Sequence, residues 1–318
     1  MLEGCLLCPR RCGATRTTAD PGRCGSEEPL QSGLFRVASL MRHCWEEPCI
    51  SGSDGSGAVF FSGCALGCCF CQNSSISHAR QGITMTESEL IEAIFKLHAQ
   101  GVHNLNLVTA SHYADRLPQL ISRIKNDMRW QQRPIPIIWN SSGYETRESV
   151  IALANHVDVW PPDFKFFDQQ LAKALADAPD YFSVASQAIL TMHALQPKLI
   201  LNEDGMVQHG LIIRHLVLPG HWRDSCRLLD YLAEHKLNDV LLSLMCQYTP
   251  QPGIGQPSAN PELKRRLTTF EYRKVIDYAL DLGFTRVLGQ NRGSADAAYT
   301  PDFSSVWLNP EGRGTPER

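Results

Sequence analysis

From residue 57 onward, short segments rich in β-branched and aromatic residues alternate with segments whose apolar positions follow a helical period. This alternation is typical of a parallel sheet whose strands are connected by helices. The predicted strands cover residues 58–62, 104–109, 135–140, 157–161, 211–218 and 239–244.

The connecting segments carry clear helix signals. Thr86 and Glu89 form a capping-box pattern, an apolar stripe follows, and Gly101 ends the first helix. Further helices are predicted over residues 116–128, 146–155, 181–193 and 225–235. A last helix over 271–282 begins with a second capping box, Thr268 and Glu271.

The fold class is therefore α/β. Six strand–helix units are fewer than the eight of a closed barrel, so the pattern allows a partial (β/α)6 barrel or a doubly wound sheet. In both folds, ligands bind at the carboxyl ends of the strands. We expect a small Cys-rich module over residues 1–50, a core domain over 51–250 and a carboxyl-terminal extension over 251–318 that packs on the core.

Composition narrows the class of partner. The chain has 318 residues and a formal charge of -3, without the basic excess that nucleic-acid binding requires. No apolar run reaches membrane-spanning length, and the first residues lack the apolar core of a signal peptide. We therefore expect a cytoplasmic protein that binds neither nucleic acid nor membrane, in which its twelve cysteines favour metal binding over disulfides.

The densest group of cysteines follows the first predicted strand, in the sequence FFSGCALGCCFCQN. Cys64, Cys68 and Cys71 form a C-x3-C-x2-C pattern, and Gly63 and Gly67 let the loop curl so that the sulfur atoms converge. Three thiolates suit a four-iron cluster that keeps one iron open for a ligand. Structural zinc is the alternative, although it prefers four protein ligands.

These three cysteines, with Phe70 just before the last one, resemble the signature of the radical S-adenosylmethionine (SAM) superfamily. The resemblance implies a partial barrel, a [4Fe-4S] cluster whose open iron binds SAM, and cleavage of SAM to a 5′-deoxyadenosyl radical that abstracts hydrogen. Phe70 would belong to the cofactor site. An electron donor such as flavodoxin or ferredoxin would reduce the cluster.

The resemblance extends over residues 5 to 290 and is closest to the PflX-type family, relatives of pyruvate formate-lyase activating enzymes. The stretches that carry it are WEEPCISGSDGSGAVFFSGCALGCCFCQN, NSSGYE, PPDFKFFD, GLIIRHLVLPG and MCQYTP. Activating enzymes usually have a G-G-E element after the second strand for the SAM amino group, where this chain has residues 109–112, TASH.

Further SAM contacts are expected at the strand ends. Asp163 and Lys165 lie two residues apart and share a face, where they would suit a zwitterionic ligand or pair only with each other. They resemble the D-x-K element that contacts the methionine part of SAM. Asn140 and Ser142 could hydrogen-bond its ribose or form a simple polar turn.

Arg214 interrupts an apolar strand, so it should face a carboxylate. That carboxylate could belong to SAM, or the arginine could form a buried structural pair with Asp163 or Asp158. His112, after the second strand, is interpreted as a hydrogen-bonded structural residue, with a polar contact or a proton carrier as the alternatives.

A second group, Cys5, Cys8, Cys12 and Cys24, has the spacing C-x2-C-x3-C-x11-C. Four thiolates can close a tetrahedral zinc site or hold a second [4Fe-4S] cluster, and the spacing favours both equally. The remaining alternative is that these cysteines bind no metal.

The leading hypothesis is a radical SAM oxidoreductase that abstracts hydrogen from a protein substrate, as the glycyl-radical activating enzymes do. The alternatives are radical chemistry on a small molecule or peptide, and a non-catalytic iron-sulfur electron carrier or scaffold. The pattern assigns no catalytic residue.

Overall fold

The computed structural model describes residues 4–250, 260–290 and Phe303. The strands within these ranges are β1 (Leu34–His43), β2 (Ser56–Phe61), β3 (Ile83–Thr86), β4 (Leu105–Val108), β5 (Ile137–Asn140), β6 (Val159–Trp160), β7 (Ile200–Leu201), β8 (Val207–Leu216), β9 (Leu241–Met245) and β10 (Val287–Gly289).

The α-helices of the same ranges are α1 (Pro48–Ser51), α2 (Ser74–Ser77), α3 (Glu87–His98), α4 (Leu117–Asn126), α5 (Met128–Gln132), α6 (Arg147–Leu153), α7 (Gln169–Ala176), α8 (Tyr181–Leu195), α9 (Trp222–Glu234) and α10 (Thr269–Asp281). Both predicted capping boxes are present, at Thr86 for α3 and at Thr268 for α10.

The strands form one sheet in the order β10-β9-β8-β6-β5-β4-β2-β1-β3, with β7 paired to β8 outside this path. All six predicted strands are present, as β2, β4, β5, β6, β8 and β9, and they pair in parallel. The predicted α/β fold is thereby confirmed, and the carboxyl ends of these strands lie at one edge.

Four strands extend the sheet beyond the prediction, namely β1, β3, β7 and β10. β10 adds in parallel to β9, so residues 260–290 of the predicted extension contribute a strand to the core. β1 pairs antiparallel with β2, which places residues 34–43 in the main sheet although they lie within the predicted Cys-rich module. Its sequence LFRVASLMRH lacks strict alternation because both faces of its middle are covered.

The helices differ from the prediction in several places, among them the short helices α1 and α2, which were not predicted. The predicted helix 116–128 ends at Asn126, because Asp127 adopts an extended conformation and accepts a hydrogen bond from the backbone N–H of Arg129 at the start of α5. Helix α7 was not predicted, and it begins at Asp168, whose side chain caps the backbone N–H of Leu171.

The parallel strands β2, β4, β5, β6 and β9 are buried on both faces. In β2, Val59 and Phe61 belong to the large core formed with the helices, whereas Ala58 and Phe60 belong to a separate cluster with Phe303. The second face is the interior of the partial barrel, since the inward positions of neighbouring strands meet there. None of the described helices is long and apolar enough to cross a membrane.

His215, next to Arg214 in β8, connects the sheet to α9. Its Nδ1 lies 2.6 Å from the carbonyl oxygen of Phe164 and its Nε2 lies 2.7 Å from the hydroxyl of Ser225. Burial lowers the pKa of His215 from 6.5 to about 4, so the folded protein holds a neutral imidazole.

This neutral histidine predicts a loss of stability in acid. Between pH 6.5 and 4 the unfolded chain binds a proton that the folded chain does not, which costs about 1.4 kcal/mol of unfolding free energy per pH unit. His215→Gln removes this titration, so its stability should fall less than that of the wild type, by about 2 kcal/mol, between pH 7 and pH 5 in urea unfolding. The exposed His235→Gln is the control, and an equal acid loss in His215→Gln and wild type would contradict the assignment.

Candidate functional site

The cysteine loop starts where β2 ends, and the amino-terminal segment holds it in place. The backbone N–H of Cys64 donates to the carbonyl oxygen of Cys24 at 3.0 Å, and that of Cys69 donates to Leu175 at 2.8 Å. Gly63 has a φ of 90°, and a Cβ there would lie 2.4 Å from the Cys24 oxygen. Only glycine fits this close approach.

The predicted ligands of the cluster are sheltered from water. Cys68 is 7% exposed, and Cys64 and Cys71 are partly exposed. Burial raises the pKa of Cys68, whereas the ammonium of Lys165 acts in the opposite direction. Buried thiols on one curled loop, beside a cation that favours their ionised form, are chemically suited to an iron-sulfur cluster.

A tight turn after β5 brings the next group of polar residues to the same edge. The backbone N–H of Asp163 donates to Ser141 at 3.0 Å, and Gly143 has a φ of 73°. A Cβ at Gly143 would lie 2.2 Å from the carbonyl oxygen of Asp163, so the turn packs closely against the strand end. The Tyr181 hydroxyl, 2.8 Å from the carbonyl oxygens of Ser142 and Asp163, ties the two segments together.

Arg214 lies at the centre of a charged network inside the barrel. Its guanidinium donates to Asp163 Oδ1 at 3.1 Å, to Asn140 Oδ1 at 2.8 Å and to Glu46 Oε2 at 3.1 Å. Of the two structural partners that the sequence left open, Asp163 is one and Asp158 is not, since Asp158 pairs with Lys125 at 3.4 Å.

Asp163 is shared between two cations. Its second oxygen, Oδ2, accepts from Lys165 Nζ at 2.6 Å. Burial opposes ionisation of Asp163, but the charges of Lys165 and Arg214 outweigh it and hold the pKa of the carboxyl below its usual value. The network therefore places an ionised carboxylate between an ammonium and a guanidinium. Both signs of charge are thus present for a zwitterionic ligand.

Two acids of this network were missed by the sequence analysis. Glu46 accepts from Asn106 at 3.1 Å and from Asn140 at 3.3 Å as well as from Arg214, and Glu47 Oε2 lies 3.9 Å from Arg214 Nη1. Burial raises the pKa of Glu47, which is 9% exposed. The adjacent glutamates in WEEP were the available signal, because paired acids ahead of a buried helix need a cation.

The remaining predicted contacts are placed as follows. Phe70 is buried, with its ring 6.1 Å from those of Phe166 and Tyr248, so it packs under the cysteine loop. Ser142 uses its carbonyl oxygen to bind Tyr181. His112 is buried with Nε2 2.9 Å from the carbonyl oxygen of Ser62, and burial lowers its pKa to about 3. His112 therefore makes a structural contact, and its imidazole is uncharged at neutral pH.

The residues that stand where activating enzymes have G-G-E keep a glycine-like backbone. Thr109 has a φ of 58°, which β-branched residues rarely adopt, and its backbone N–H donates to the carbonyl oxygen of Asn140 at 2.9 Å. Ser111 donates to Glu145, a buried carboxylate whose pKa is raised by burial. The strand end is therefore shaped for a left-handed turn although no glycine is present.

The amino-terminal cysteines lie against the same edge. Cys5, Cys8 and Cys24 are buried and Cys12 is exposed, and Cys8 and Cys24 form a small cluster with Ala65 of the first loop. All twelve cysteines are free of disulfide bonds. Within the described ranges, no three Cys, His, Asp or Glu side chains are close enough together to hold a single metal ion.

Comparison with known sequences gives two matches. The model of the 4Fe-4S single cluster domain matches residues 50–174, a range that contains the predicted cluster loop. The uncharacterised protein MJ0674 of Methanocaldococcus jannaschii is 30% identical over 295 residues, which cover 89% of this chain and 77% of that protein.

Comparison with solved structures extends the fold assignment. The structure of anSMEcpe with bound AdoMet and the Cp18Cys peptide is similar with a TM-score of 0.50 and 11% identity, over 71% of this chain and 60% of that one. Methylornithine synthase gives a TM-score of 0.48 and 17% identity, over 79% of this chain and 65% of that one. The chain thus spans somewhat under two thirds of each, and the first likeness agrees with the predicted partial barrel.

The matched 4Fe-4S single cluster domain supports the predicted [4Fe-4S] cluster, and the likeness to the AdoMet-bound structure agrees with the predicted fold.

The network around Arg214 predicts a large loss of stability when the guanidinium is removed. Arg214→Met leaves Glu46 and Glu47 without their cation and Asp163 with Lys165 alone. Urea unfolding of the reconstituted protein should therefore show a loss of about 3–5 kcal/mol. The control is Arg123→Met, whose exposed guanidinium pairs with Glu87 at 3.0 Å. That variant should lose less than about 1 kcal/mol. Similar losses in both variants would contradict the network.

Proposed function

We propose that this chain, which belongs to the family of MJ0674 of Methanocaldococcus jannaschii, is a radical SAM enzyme. Cys64, Cys68 and Cys71 would hold the [4Fe-4S] cluster and leave one iron open for SAM. The observation that carries the proposal is the juxtaposition of this loop with the charged network: the ring of Phe70 in the loop lies 6.1 Å from the ring of Phe166, the residue after Lys165.

The network has the chemistry to bind the methionine part of SAM. The amino group needs an acceptor, which Asp163 supplies, and the carboxylate needs a cation, which Lys165 or Arg214 supplies. Both cations already contact Asp163, so the ligand would join a fixed array of charges. Asn140 lies on the same array, with its Oδ1 2.8 Å from Arg214 and its Nδ2 donating to Glu46 at 3.3 Å, so a ribose hydroxyl would bind its amide in place of Glu46.

The cluster and SAM would supply a 5′-deoxyadenosyl radical for hydrogen abstraction. The chain's own part is to bind, orient and exclude water. Phe70 and Tyr248 pack as an apolar wall beneath the cysteine loop. Glu46 and Glu47 lie on the other side of Arg214 and hold its guanidinium in place.

We propose that the hydrogen comes from a protein, as in the glycyl-radical activating enzymes of the PflX-type resemblance. What supports this is the resemblance itself, whose D-x-K element is present at Asp163 and Lys165. A one-electron donor of the flavodoxin or ferredoxin class would reduce the cluster, and the site of action would be the cytoplasm.

Asp163→Asn tests the SAM site without removing a cluster ligand. The amide cannot neutralise Lys165 or accept from an ammonium as strongly, so SAM should bind the anaerobically reconstituted protein at least about tenfold more weakly in equilibrium dialysis. Iron content should be unchanged. Asp158→Asn is the matched control, since Asp158 accepts from Ile137 and Lys125 at the opposite end of β6. Equal SAM affinity in both folded variants would show that Asp163 only forms structural ion pairs and does not bind SAM.

A labelled protein substrate tests the source of the hydrogen. Incubation with a candidate glycyl-radical protein deuterated at the glycine Cα should place one deuterium in 5′-deoxyadenosine, measured by mass spectrometry. The same protein with the glycine changed to alanine is the control. Deuterium transfer from a labelled small molecule or free peptide, with none from the protein, would contradict a protein substrate.

A further inference from the structure

We infer that Cys5, Cys8, Cys12 and Cys24 hold a second [4Fe-4S] cluster, docked directly against the loop of the first. The inference rests on the proposed function for the choice of iron over zinc and for the destination of the electron. The gathering of the four cysteines stands on its own observations, and the metal content has its own test.

The backbone of the amino-terminal segment gathers its cysteines. The backbone N–H of Cys5 donates to the carbonyl oxygen of Ala14 at 2.9 Å, and the backbone N–H of Gly13 donates to the carbonyl oxygen of Cys5 at 3.0 Å. Between them, Arg11 N donates to Cys8 at 3.0 Å in a tight turn. A separate turn, closed by the 2.9 Å bond from Gly22 N to Ser26, presents Cys24 to this loop. Four thiols from two turns can occupy all four irons of a cubane cluster.

The segment is fixed to the first cysteine loop by its main chain and by packing. The carbonyl oxygen of Cys24 accepts from the backbone N–H of Cys64 at 3.0 Å, so one hydrogen bond connects the two groups of cysteines. Ala65, the next residue of the first loop, packs against Cys8 and Cys24. The two cysteine segments thus contact each other through main chain and side chain.

Arg10 supplies an independent observation. It lies between Cys8 and Cys12 in the sequence, and its guanidinium donates to the carbonyl oxygens of Ala65 at 2.9 Å and Leu66 at 3.0 Å. It also donates to Ala176 at 2.7 Å. Within the described ranges no carboxylate lies within 4 Å of this guanidinium, so its charge is balanced by no ion pair there. A cation without a counterion, placed between two groups of cysteines, suits two anionic thiolate-bound clusters.

The position favours iron over zinc. Zinc has no redox chemistry, whereas a fully ligated four-iron cluster exchanges one electron and binds no substrate. A low-potential one-electron donor, of the flavodoxin or ferredoxin class, would reduce the outer cluster from the 2+ to the 1+ state. The outer cluster would return to 2+ as that electron moves to the inner one, with no proton or bond change.

The metal content of two matched variants tests the second cluster. After anaerobic reconstitution, the triple variant Cys64→Ala, Cys68→Ala, Cys71→Ala should retain about four iron and four sulfide per chain and no zinc. The quadruple variant Cys5→Ala, Cys8→Ala, Cys12→Ala, Cys24→Ala should also retain about four iron. Cys44→Ser is the control, because Cys44 lies outside both groups, and it should keep about eight.

The docking has a spectroscopic signature. When both clusters are reduced, their unpaired spins should broaden each other's electron paramagnetic resonance lines in Cys44→Ser, and this broadening should be absent from both cluster-deletion variants. Zinc or no metal in the triple variant, or about four iron in Cys44→Ser, would overturn the second cluster. Absence of SAM cleavage with about eight iron present would instead count against the proposed function alone.

Discussion

The site depends on one buried guanidinium. Arg214 lies within hydrogen-bond distance of Asp163, Asn140 and Glu46, which come from different segments of the chain. Each acid would be costly to bury alone, and together they are tolerated because Arg214 and Lys165 supply the opposite charges. The strand ends of β5, β6 and β8 are therefore fixed relative to one another by charge as well as by the sheet.

The cysteine loop depends on a second constraint, which is close backbone approach. Gly63 and Gly143 each have a positive φ and lie where a Cβ would collide with a carbonyl oxygen, of Cys24 and of Asp163 respectively. The first contact joins the loop to the amino-terminal cysteines, and the second joins the polar turn to the charged network. A cluster held on this loop would thus be bordered by the network on one side and by the Cys-rich segment on the other.

Much of this architecture could be predicted from the sequence, because local sequence patterns determine it. The parallel strands have continuous apolar runs, and the capping boxes of α3 and α10 use residues three apart. β1 and the role of Glu46 could not be predicted, since both depend on contacts between distant residues. Glu46 meets Arg214 across 168 positions of the chain.

The central claim is that the cysteine loop and the Arg214 network form one site for SAM. It is tested most directly by the fate of SAM in the anaerobically reconstituted, dithionite-reduced protein. The account predicts cleavage to 5′-deoxyadenosine and methionine by the wild type, and none by Cys68→Ala. Intact SAM in the presence of a fully reduced cluster would contradict it.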